Sequence, residues 1–160
     1  MFVTALLSLA LAGAPCRAEG SSTCTCVQDL ARIVDTLDAA RHALANSSAL
    51  FTGRVIATHS RRDSVAVTPS TGGRRWWQLY LVVATIVVQT KVKGVVPDTV
   101  VVETDRDYAS CGADLSLNGE YLIDASVGPS GILYTQHCGF TRSLTGSGRL
   151  VEFLLRARDR

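Results

Sequence analysis

Two periodicities divide this chain. Val27, Leu30, Ile33, Val34, Leu37, Ala40 and Leu44 fall on one helical stripe, with Gln28, Asp29, Arg32, Asp35, Asp38 and Arg41 opposite. That spacing predicts an amphipathic helix over residues 27–44. Asn46-Ser47-Ser48 stops it and is also an N-x-Ser glycosylation sequon, which matters only in a host that glycosylates. From Ala49 the period shortens and β-branched residues dominate. Residues 50–58 read as a first strand, with Gly53 a bulge position. Residues 61–75, RRDSVAVTPSTGGRR, are polar and read as a hairpin connection whose tip lies around 69–73. Residues 76–92 form a long β-branched strand, apolar enough to predict burial on both faces.

Further strands are predicted at 99–104, 120–126 and 132–135. They are separated by the Pro97-Asp98 turn, a loop over 105–118 and a turn over 127–130. Leu150, Val151, Leu154 and Leu155 mark an apolar face on a C-terminal helix, for which Ser143 or Thr145 is the expected cap. Gly146 and Gly148 leave its start open. About five strands with a helix before and a helix after fit a mainly β fold: a small OB-like closed barrel with two flanking helices.

The first 14 residues, MFVTALLSLALAGA, are an apolar run shorter than the roughly 20 residues a membrane helix needs. We read residues 1–18 as a signal peptide with cleavage after Ala18, which makes the protein secreted, extracellular or periplasmic, and not transmembrane. The same cut removes Cys16. Four cysteines remain, at 24, 26, 111 and 138, an even number in an oxidising compartment.

Cys24 and Cys26 flank a single residue, too small a ring for relaxed disulfide geometry. Each is therefore expected to reach a distant partner, and two connectivities to Cys111 and Cys138 stay open. The closed loops would span on the order of 90–110 residues, worth roughly 4–5 kcal/mol each in the chain-entropy account.

The formal net charge of +2 argues against a nucleic-acid grip driven by phosphate neutralisation. The chain contains no HExxH, GxSxG or phosphate-loop motif, and we read it as a non-enzyme without a cofactor. His42 and His59 read as surface or core histidines. A Cys26–His137–Cys138 metal site is disfavoured by an oxidising compartment. Asp105 and Asp107 lack the further ordered ligands that calcium requires. Trp76 and Trp77 are expected to pack the barrel and cover an edge rather than to form a recognition patch. Arg61, Arg62, Arg74 and Arg75 read as a solvated rim of the hairpin.

An ordered set of segments carries a resemblance. It runs Cys24-Thr25-Cys26, a helix, Leu50-Phe51-Thr52-Gly53-Arg54-Val55, Lys91-Val92-Lys93-Gly94, Ser110-Cys111-Gly112, Gly119-Glu120-Tyr121-Leu122-Ile123 and Cys138. Over residues 24–144 this resembles the N-terminal domain of the tissue inhibitors of metalloproteinases and the wider netrin-like module, here spanning 24–160. The resemblance implies an OB-like five-stranded barrel and the pairing Cys24–Cys111 with Cys26–Cys138. It implies a partner-binding ridge made of Cys24, Thr25 and Cys26, flanked by Ala109 and Ser110. It also implies a zinc metalloprotease as partner. Cys24, as the mature N-terminus, would chelate the protease's zinc through its α-amino group and carbonyl oxygen, and Thr25 would enter the specificity pocket. Cleavage after Ala18 instead leaves residues 19–23 ahead of Cys24, and its nitrogen is then an amide. The alternative is a non-inhibitory module binding an envelope or extracellular protein or a glycan through the barrel face or the hairpin.

Overall fold

The computed structural model describes residues 36–67, 72–73, 75–106, 111–128, 130–145 and 147–159. Helix α1 (Leu37–Asn46) leads into strands β1 (Ala49–Val67), β2 (Arg75–Lys93), β3 (Thr99–Asp105), β4 (Glu120–Val127), β5 (Leu133–Thr135) and β6 (Arg142–Ser143), and helix α2 (Gly148–Arg158) follows. The architecture is mainly β. The strands β1, β2, β3, β5 and β4 pair in that order and β4 pairs back onto β1, so hydrogen bonding runs around a ring. Only the β3–β5 pairing in the ring is parallel.

The alternation of side chains in β1 and β4 explains how one sheet serves two cores. Phe51 lies opposite Ile123 in the register, and both are fully buried inside the ring with Val55, Ile86, Val102 and Tyr121. Their neighbours Leu50 and Leu122 point to the other side. There they meet Ala39, Ala40 and Ala43 of α1 and Leu150 and Leu154 of α2, with Val92 and Phe140. The helices thus cover one outer face of the ring while packing on each other. The α1 stripe needs alanines because small side chains let the helix lie close to α2. Its first described turn is capped by Thr36, whose Oγ1 accepts from the Ala39 amide at 3.1 Å.

Gly53 sits at a register shift between β1 and β2, as the bulge reading expected. A Cβ there would lie 2.6 Å from both Ile86 Cγ2 and the Val87 carbonyl oxygen. The strand is therefore close-packed on its neighbour at a point where only glycine fits.

Several boundaries differ from expectation. The 61–75 segment is not a loop at its base. Strand pairing continues without interruption from Ala57↔Thr85 to Val67↔Arg75, because Val65 and Val67 extend the β pattern beyond the polar arginines. The expected burial of both faces of β2 holds only in the middle. Leu81, Val83, Ala84 and Ile86 are buried, whereas Trp76, Tyr80 and Val87 are exposed. The C-terminal helix is entered through Ser147, not Ser143 or Thr145, and Ser147 donates its hydroxyl to the Ser143 carbonyl instead of capping with it. The short β6, paired with Tyr121 and Leu122, was not expected. The end of the N-terminal helix falls at Asn46, next to the predicted stop, and residues 27–35 of that prediction lie outside the described residues. Among the described residues, no helix is long and apolar enough to cross a membrane.

Candidate functional site

Of the residues assigned to the ridge, Cys24, Thr25, Cys26, Ala109 and Ser110 lie outside the described residues, as do residues 1–18 and Asp107. What the structure does describe is the pair of loops carrying Cys111 and Cys138. Neither cysteine is free. The two loops are 27 positions apart in numbering yet adjacent in space, since the amide of His137 donates to the carbonyl of Cys111 at 2.8 Å. Cys111 itself adopts a left-handed backbone conformation, φ 66°, unusual for a residue with a side chain.

Each loop is fastened to a strand of the ring. After Cys111, the Ala113 amide donates to the buried Thr104 hydroxyl of β3 at 2.8 Å. Farther along, the Ser116 amide donates to the Tyr121 hydroxyl of β4 at 2.9 Å. The loop around Cys138 is held by Asp124 of β4. Its Oδ2 accepts from the Phe140 amide at 3.1 Å, and its own amide donates to Thr141 Oγ1 at 2.8 Å. Thr135 adds a bond from its hydroxyl to the Asp124 carbonyl at 2.7 Å. Gly139 permits this approach, because a Cβ there would stand 3.0 Å from Asp124 Oδ2. A recess of about 280 Å³ opens between the two loops, lined among others by Ala113, Asp114, His137 and Arg142. Two cysteine-bearing loops are thus held against each other and fastened to β3 and β4 at one end of the ring.

A second feature was missed in the sequence. Register places Arg61, Leu81 and Asp105 in one cross-strand row, Asp63 opposite Leu79, and Glu103 opposite Tyr134. All of these therefore share the face turned away from Ile86 and Val102. Glu103 is only 3% exposed, and its Oε1 lies 2.5 Å from Arg61 Nη1. Its Oε2 accepts from the Ser130 hydroxyl at 2.9 Å. Arg61 also reaches Asp63 at 3.4 Å. The Tyr134 hydroxyl donates to Asp105 Oδ2 at 2.5 Å. Burial first, then the anionic partner Asp105, push the phenol up to about 12. These groups border a cleft of about 360 Å³ with Leu79 and Leu81 in its walls. Arg61 is thus not part of a solvated rim, as expected from sequence, but the counter-ion of a buried carboxylate. The signal available in advance was a single glutamate inside the valine-rich run TVVVETD.

The tryptophans and histidines take plainer places. Trp76 is 66% exposed on the hairpin, so it is not the tryptophan that packs the ring. The side chain of Trp77 lies outside the description. Arg62 stacks 5.1 Å over the Tyr80 ring on the same hairpin face. His42 is exposed, 6.0 Å from the Phe140 ring, and His59 is exposed on β1. Among the described residues, no three His, Cys, Asp or Glu side chains are grouped to hold a metal ion.

Comparison with protein-family models finds no match to this chain, and comparison with curated proteins finds no significant relative.

Proposed function

We propose that the protein is a secreted, netrin-like protein-binding module on an OB-type closed barrel, with an inhibitor-like ridge at the end where the Cys111 and Cys138 loops meet. The observation that carries this reading is the 2.8 Å bond from the His137 amide to the Cys111 carbonyl. A Cys-x-Cys segment whose cysteines bond separately is best served by two half-cystines at the same end of the fold, each able to come within roughly 4.4–6.8 Å, Cα to Cα, of its partner. The contact between the loops carrying Cys111 and Cys138 supports this, and the anchoring of those loops through Ala113 to Thr104 and through Phe140 to Asp124 favours a rigid seat for the leading segment. Rigidity matters because a preordered ridge loses little entropy on binding.

The target that fits the ridge is a zinc metalloprotease. With Cys24 as the mature N-terminus, its amine and carbonyl oxygen form a five-membered chelate on a zinc that keeps one position open. Thr25 then occupies the adjoining pocket, and Ala109 and Ser110 flank the cleft. The module performs no chemistry of its own and holds no cofactor.

A second reading has its own observation. The hairpin face bearing Trp76, Gln78, Tyr80, Arg62 and Ser64 is exposed throughout, and exposed aromatics with arginine suit protein recognition. On that reading the module binds an extracellular or envelope partner without inhibition.

The two are separated by assaying exported protein against a panel of zinc endopeptidases and sequencing its N-terminus. Stoichiometric inhibition by chains starting at Cys24 supports the first. A chain starting at Glu19 that inhibits nothing, yet loses a captured partner on Trp76→Ala, supports the second.

A further inference from the structure

The cleft beside Glu103 has no part in the ridge, and we infer that it is a docking site for a basic side chain, a guanidinium or ammonium on an aliphatic stem, presented by a partner protein. Three carboxylates, Asp63, Glu103 and Asp105, border it against one guanidinium, Arg61. That balance repels anions and favours a cation. The walls formed by Leu79 and Leu81 suit a methylene stem, which gains by leaving water. At about 360 Å³ the cleft lies near the lower end of the range for ligand pockets, roughly 300–1,000 Å³. It therefore fits one extended side chain rather than a cofactor or an oligosaccharide.

Two further observations point the same way. Glu103 is buried and its charge is met by Arg61 at 2.5 Å, although Oε1 receives no well-directed hydrogen bond. With that pair neutralised, Asp63 and Asp105 leave the cleft edge with an excess of negative charge. The hydrogen bond from Tyr134 occupies Oδ2 of Asp105 and holds that carboxylate at the cleft edge. Tyr134 lines the same cleft, which places an aromatic side chain beside the carboxylates where a cation would rest. The site requires no particular target for the ridge and stands or falls separately from it.

The test uses the intact exported protein and small probes followed by NMR. n-Butylguanidinium and n-butylammonium are expected to shift the methyl signals of Leu79 and Leu81 and the ring signals of Tyr134 saturably. The neutral isostere n-butylurea is expected to bind at least about tenfold more weakly, and 1 M salt to weaken the cations. Asp63→Asn with Asp105→Asn, both at the cleft edge, should reduce guanidinium affinity about three- to tenfold. Saturable binding of butylurea or butyrate equal to that of butylguanidinium would overturn the inference. So would the absence of saturable shifts at these residues, or an unchanged affinity in a folded double variant. Because the guanidinium-to-urea comparison is made on the unaltered protein, a variant that fails to fold does not shelter the proposal.

Discussion

The amide of His137 and the carbonyl of Cys111 meet at 2.8 Å, joining two loops that leave the ring from different strands. Cys111 follows β3, and Cys138 follows β5, the one strand pair in the ring that runs parallel. Parallel neighbours send their chains out at the same end of a sheet, so both cysteines emerge together. The topology, and not the local sequence of either loop, makes this end of the protein a place where a short leading segment can be stapled twice.

The Arg61–Glu103 pair should be costly to break singly and cheap to replace whole. Arg61→Ala leaves a carboxylate buried without its counter-ion, and a loss of about 2–4 kcal/mol is expected, below the top of the range for buried pairs because Arg61 is a third exposed. Arg61→Met with Glu103→Leu should recover most of that loss. Urea unfolding of the three proteins checks this, and a double variant less stable than Arg61→Ala would refute it.

Gly53→Ala should destabilise by about 1–3 kcal/mol, since the added methyl meets the Val87 carbonyl and Ile86 Cγ2 rather than a flexible side-chain tip. Neighbouring exposed positions such as Arg54 provide the contrast, with changes within about 0.5 kcal/mol expected for Arg54→Ala. The comparison is made by thermal or urea unfolding.

Tyr134 should ionise well above the ordinary phenol range. Its folded value, about 12, lies above the ordinary phenol value of 10.0. An unfolded chain therefore releases this proton first as pH rises. The stabilisation is complete below about pH 10 and drains away between about 10 and 12, a loss tempered by the partial exposure of the ring. Absorbance titration of phenolate in the protein and in Tyr134→Phe checks it. The late phase should vanish in the variant.

Much of the fold could be read from the chain, and the reasons are local. The bulge at Gly53 and the strands around it were visible because β-branched residues and a glycine stand in a short window. The alternation of Leu50 with Phe51 and of Leu122 with Ile123 carries the two-sided core in two pairs of adjacent letters. The true length of the hairpin was obscured because Arg61, Arg62 and Asp63 look like a loop, and only pairing with Leu79 to Leu81 reveals them as strand. The candidate site divides in the same way. Cysteine arithmetic singled out Cys111 and Cys138 without knowing that they were neighbours. Glu103 stayed hidden because its partners, Arg61 and Ser130, come from elements 42 and 27 positions away, and no local pattern records such a meeting.

The account rests on two staples between the Cys-x-Cys segment and this pair of loops, so the most direct measurement is peptide mapping of the exported, unreduced protein by mass spectrometry. Linked peptides joining Cys24 to Cys111 and Cys26 to Cys138 are the predicted result. Free thiols at these four positions, or a bond joining Cys24 to Cys26, would contradict it.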